Sequence, residues 1–207
     1  MRIWLTEAAI AFGLFLALTF VFVSWFVSRQ YVRYGRFAGW PALVSASVVL
    51  YGSALIAFTM FPIPNFDAGY CASRAGRSAW QLVPLASLDD VSAYASSNGV
   101  LATAFSAEFL QVAMNVVFFA PLGFFLAYRS RRSLPFAFAV SLTVSVVIEL
   151  TQGTGLWGIA ECPYRLADID DVITNTSGGV LGWFVGLALR RVLPDPTPHR
   201  EADPGPP

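Results

Sequence analysis

The chain has 207 residues, 56% hydrophobic and only 13% charged, with a mean hydropathy of +0.61. A soluble domain carries nearer a quarter of charged residues, so an all-α integral membrane protein is expected, and a formal net charge of zero gives no bulk pull toward nucleic acid. All thirteen basic residues are Arg and the single His, His199, lies in a Pro-rich tail, which excludes His-based nucleophile systems and a Lys Schiff base and leaves Cys71 and Cys162 short of a zinc site.

Crossing about 30 Å of hydrocarbon takes roughly 20 apolar residues in a helix. The first such run is residues 8–27, between Glu7 and Arg29, too long for the apolar region of a signal peptide. The second is residues 40–61, closed by Pro62 and Pro64, so residues 1–62 are expected to form a two-helix hairpin. Residues 63–108 are long for a connector and are expected to hold structure of their own. Ser87 followed by Asp90 has the spacing of a helix start, which places a short surface helix over residues 88–97.

The third span is residues 109–128, with Pro121 and Gly123 giving it a place to bend. The fourth begins near Ser133 and is uncharged only to Ile148, about 24 Å of helix, so it must continue past Glu149 to cross. A Gly-rich turn and a second polar loop follow, and the fifth span is residues 172–189. Residues 109–191 thus form a three-helix core, and the Pro-rich residues 192–207 are expected to be a disordered cytoplasmic tail.

Arg29, Arg33 and Arg36, then Arg129, Arg131 and Arg132, then Arg190 and Arg191 fall in alternate loops. The remaining loops hold Asp67, Asp89, Asp90 and Glu108, then Glu161, Asp168, Asp170 and Asp171. The positive-inside rule therefore predicts five transmembrane helices, the N-terminus outside and the C-terminus in the cytoplasm, in a bacterial cytoplasmic membrane. Cys71 and Cys162 then share the outer side, where they either form a disulfide or remain buried thiols.

Glu149 and Gln152 share one face near the outer end of the fourth span, and Asn115 lies about 9 Å into the third. Asp168, Asp171 and Asn175 follow an i, i+3, i+7 pattern into the fifth span, and Arg165 precedes them. A charge within a membrane helix costs about 2.5–3.5 kcal/mol on insertion scales, so these groups are expected to face a polar pocket. The plainer readings are interhelical hydrogen bonds for Asn115 and Asn175 and solvated helix-start charges for the aspartates. Below them Gly178, Gly182 and Gly186 recur every four residues, spacing that lets a neighbouring helix backbone approach.

Gln81-Leu-Val-Pro84-Leu, Asn115-Val-Val-Phe-Phe-Ala-Pro121-Leu-Gly123, Ser145-Val-Val-Ile-Glu149-Leu-Thr-Gln152, and the run from Arg165 through Asp168, Asp170, Asp171 and Asn175 to Gly178 and Gly182 resemble the VanZ-like family of small bacterial membrane proteins. Gln81 stands where the family pattern has Asn. The resemblance covers half the chain. It implies a multi-spanning membrane protein linked in some relatives to glycopeptide susceptibility, one member being associated with teicoplanin resistance. The leading functional expectation is an outward pocket of Asn115, Glu149, Gln152, Arg165, Asp168, Asp171 and Asn175 that engages a membrane lipid or lipid-linked wall precursor, without a cofactor. The alternative is a membrane enzyme in which Glu149 and Asp171 act as acid and base or bind a divalent metal. A transporter ranks lower because the inner half of the fifth span is glycine and apolar, and a pure scaffold is the remaining class.

Overall fold

A computed structural model describes residues 2–34, 39–60, 64 and 68–196. Arg36, Pro62, Asp67 and the tail from residue 197, including His199, lie outside the described residues. The described chain is almost wholly helical, with one pairing of two-residue strands.

The absence of Pro and internal charge from long stretches dictates long helices. The first, α1 (Arg2–Tyr34), runs 33 residues, or about 50 Å, and contains the apolar run Phe12–Val23. The second, α2 (Gly39–Met60), packs on α1. Four of its hydroxyls find acceptors within the helix: Ser45, Ser47, Ser53 and Thr59 each donate to the carbonyl four residues back, at 2.7–3.0 Å. Helices α1 and α2 belong, with Ala188–Pro207, to one compact unit, and Ile63–Leu187 forms the other.

The second unit holds α3 (Ala68–Arg74), β1 (Trp80–Gln81), α4 (Ala86–Asn98), α5 (Val100–Thr103), α6 (Ala107–Tyr128), α7 (Leu134–Gly153), α8 (Gly155–Gly158), β2 (Ala167–Asp168) and all but the last two residues of α9 (Ile169–Leu189). Helices α2, α6, α7 and α9 are each long and apolar enough to cross a membrane. The Ser106 hydroxyl caps α6 by accepting from Phe109 N at 3.2 Å, and Pro135 sits in the first turn of α7, where no intrahelical donor is needed. Helix α7 does continue past Glu149, through Gln152 to Gly153. At Gly155 (φ +63°) the chain turns left-handed and runs against its own return, so that a Cβ there would lie 2.7 Å from Cys162 O.

Helices α6 and α9 meet backbone to backbone. A Cβ at Gly178 would lie 2.3 Å from Val116 O, one at Gly182 1.8 Å from Ala120 O, and one at Gly186 2.6 Å from Phe124 O. From the facing helix, a Cβ at Gly123 would lie 1.7 Å from Gly179 O. Gly123 is therefore part of this contact, and α6 is continuous through Pro121.

The surface helix is present as α4, but it starts differently from the expected Ser87 cap. Its first residue is Ala86, preceded by Leu85 at φ 67° with no side-chain cap of its own. The cap comes from a residue 85 positions away: the Asp170 carboxylate accepts from Leu85 N at 2.5 Å and from Ser87 N at 2.7 Å. A carboxylate carries full negative charge to the exposed amides of a helix start, which a hydroxyl cannot.

Candidate functional site

The polar residues gather where α7 ends, α9 begins and the strands pair. Strand β1 lies parallel to β2, with Trp80 opposite Ala167 and Gln81 opposite Asp168. Ala167 N donates to Ala79 O at 2.9 Å. Gln81 closes a ring over Leu82: its Nε2 donates to Val83 O at 2.9 Å and its Oε1 accepts from Val83 N at 2.5 Å. That ring shapes the chain into the α4 start.

Glu149 is 6% exposed, and its Oε2 accepts from Asp168 N at 2.9 Å, tying the end of α7 to β2. Asp168 Oδ1 in turn accepts from Asp170 N at 2.8 Å and so caps α9. Burial raises the Asp168 carboxyl above its usual range; the bond from Asp170 N opposes this and the Asp170 charge adds to it. Asp170, 3% exposed, reaches the other way to cap α4.

In the first turn of α9, Asp171 Oδ1 accepts from Asn115 Nδ2 at 2.6 Å and from Gln111 Nε2 at 3.4 Å, joining α9 to α6. Asn115 also approaches Thr174 Oγ1, at 3.3 Å. Asn175 Nδ2 donates to Ser145 Oγ at 3.0 Å, joining α9 to α7. Gln152 is buried beside them on α7. The structure thus brings Asn115 to Asp171, Glu149 to Asp168 and Asn175 to Ser145, as three bonded groups that lock α6, α7 and α9 together.

Arg165, whose charge acts on Glu149, also faces a second surface. It lines a cleft of about 550 Å³ between α3 and the connection from α8 to β2, together with Arg74, Arg77 and Glu161. The Cys71–Cys162 disulfide, with a Cα–Cα distance of 5.6 Å, joins the two walls. Tyr70 Oη donates to Tyr164 O at 3.1 Å alongside it. The Tyr164 phenol is pushed up by burial, with the Arg165 charge opposing and the Glu149 charge adding.

Asp170, Arg74 and Arg77 were not among the expected site residues. The arginines carry a signal in the sequence: they sit three apart, just after Cys71, in a loop otherwise counted as acidic. Among the described residues no three His, Cys, Asp or Glu side chains gather in a metal-binding arrangement. The carboxylates of the polar cluster accept hydrogen bonds from the fold itself, and the guanidinium groups of the cleft are donors only.

The family model described as VanZ/LLP1 matches residues 48–190, well over half of the chain, from within α2 to just past α9. No curated protein and no solved structure matches the chain.

Proposed function

The chain belongs to the VanZ/LLP1 family of membrane proteins, and we propose that its polar end engages a membrane lipid or lipid-linked cell-wall precursor on the outer side of the bacterial cytoplasmic membrane. In this reading α1 supplies a fifth span, the N-terminus is outside, and Arg129, Arg131 and Arg132 between α6 and α7 mark the cytoplasmic side. Engagement of the precursor would then influence glycopeptide susceptibility.

The observation that supports this reading is the pair of carboxylates, Glu149 and Asp171, kept on helices that are otherwise fit to cross a membrane. Apolar residues of similar volume would insert more cheaply, so ionisable carboxyl groups at these positions point to a role. A wall precursor carries sugar hydroxyls and peptide amides that donate to carboxylates, and phosphate that accepts from Arg165.

Glu149→Gln and Asp171→Asn each keep one acceptor oxygen, for Asp168 N and for Asn115 Nδ2 respectively. Both variants are therefore expected to reach the membrane at the wild-type level while losing any effect of the gene on glycopeptide susceptibility, measured as growth inhibition in a deletion strain carrying each variant. Full effect from both variants would overturn the reading.

A further inference from the structure

We propose that the cleft between α3 and the connection from α8 to β2 is a phosphate-binding site, in which Arg74, Arg77 and Arg165 hold the phosphate of a lipid headgroup. The proposal deepens the functional reading above by naming the anionic part of the ligand, and rests on that reading for the ligand's being membrane-borne.

The lining carries three guanidinium groups against a single carboxylate, Glu161. The walls that carry them are tied at both ends. At one end the Cys71–Cys162 disulfide fastens α3 to the far wall, and Tyr70 Oη holds Tyr164 O, one residue before Arg165. At the other end Trp80 and Gln81 pair with Ala167 and Asp168. Arg74 is steadied as well, its guanidinium lying over the Tyr70 ring at 5.0 Å from the centroid. The backbone that carries the three arginines, and the Arg74 guanidinium itself, are thus positioned before any ligand arrives, which lowers the ordering cost of binding.

The chemistry matches phosphate better than carboxylate or chloride. Guanidinium forks meet tetrahedral phosphate oxygens with paired donors, and several forks share its multiple charge. A volume of about 550 Å³ lies within the range of about 300–1,000 Å³ usual for ligand clefts. The arginines also run against the expected charge bias, since Arg74, Arg77 and Arg165 lie in the loops assigned to the outer side.

The surroundings favour a lipid as the carrier of that phosphate. Leu166, 46% exposed, lines the cleft, and Trp157 within α8 and Ile159 just after it are 61% and 85% exposed. Exposed apolar residues with a tryptophan at a helix end fit the headgroup level of a bilayer.

The test uses the full chain in phosphatidylcholine nanodiscs, titrated with inorganic pyrophosphate by calorimetry, and in parallel discs containing phosphatidylglycerol, read by native mass spectrometry for retained lipid. The double variant Arg74→Gln/Arg77→Gln is compared with Arg190→Gln/Arg191→Gln, whose arginines lie beyond α9; an intact Cys71–Cys162 bond on a non-reducing gel reports folding of the cleft. The first pair is expected to weaken pyrophosphate binding, retention of phosphatidylglycerol, or both by at least tenfold, and the second pair to leave them unchanged. Retention of phosphatidylglycerol identifies a lipid source; pyrophosphate binding without it identifies a soluble phosphate and overturns the lipid headgroup. Wild-type protein that binds neither, or two variant pairs that behave alike, overturns the site itself. Loss of phosphate binding in the Arg74/Arg77 variant with glycopeptide susceptibility unaltered would remove the functional reading while leaving the phosphate site standing.

Discussion

Gly182→Val is expected to prevent the accumulation of folded protein, and Gly182→Ala to lower the thermal aggregation midpoint in detergent by many degrees. The first side-chain carbon would lie 1.8 Å from Ala120 O and 2.5 Å from Ala120 C. Both are main-chain atoms of a helix, so no rotamer change relieves the contact and α6 and α9 must separate. Separation at Gly182 also lifts Gly178 from Val116 and Gly186 from Phe124, one turn above and below. Overpacking ordinarily costs about 1–3 kcal/mol, and a clash with rigid backbone belongs at or beyond the upper end. Gly52→Ala in α2 is the control, because a Cβ there meets nothing within 4 Å. Fluorescence-detected size exclusion after heating separates the cases: Gly52→Ala should match the wild type and Gly182→Ala should not. A Gly182→Ala protein as stable as the wild type would refute the backbone contact.

Asp170→Ala is expected to release α4 from the rest of its unit. Asp170 supplies both amide partners at the α4 start, Leu85 N and Ser87 N, from a position 3% exposed to solvent. Hydrogen bonds to a charged group contribute about 1.5–3 kcal/mol each, and alanine leaves both amides without an acceptor. The combined loss is therefore about 3 kcal/mol or more. Helix α4 has no buried residue to compensate. Amide exchange in Ala86–Asn98 should accelerate by about a hundredfold, since 1.4 kcal/mol is a factor of ten. Asp170→Asn keeps one acceptor oxygen and should fall between alanine and the wild type. Unchanged exchange of α4 in Asp170→Ala would show that another contact holds the helix.

Span lengths were legible because the physics behind them is local. Rise per residue alone required α7 to run past Glu149, and it ends at Gly153. The glycine spacing pointed to a close helix contact on α9, although nothing in the spacing named α6 as the partner or Gly123 as its counterpart. The Cys71–Cys162 pairing remained open in sequence until the fold brought the two loops together.

Long-range capping was invisible for a different reason. Ser87 and Asp90 satisfy a helix-start pattern within a window of four, so the sequence supplied a local answer that the distant Asp170 displaced. Strands of two residues are too short to show alternation, and β1 and β2 exist only because they find each other. Arg74 and Arg77 were masked by counting charge per loop, where the acids around them dominate; their proximity to Arg165 depends on the disulfide fold.

Among the polar residues, the depth estimate grouped Glu149, Asp168, Asp171, Asn115 and Asn175, and the hydrogen bonds sort them by partner. Pairings such as Asn175 with Ser145 depend on helix rotation, which helical periodicity does not specify between two largely apolar neighbours.

Native mass spectrometry of the protein extracted in mild detergent from its own membrane tests the central claim most directly. The account predicts that the wild type retains a phosphorylated lipid or lipid-linked wall precursor enriched over the bulk membrane, and that Glu149→Gln, folded and inserted to the same level, loses it. A wild type carrying only the bulk lipid mixture, or a Glu149→Gln protein carrying the same bound species as the wild type, would contradict it.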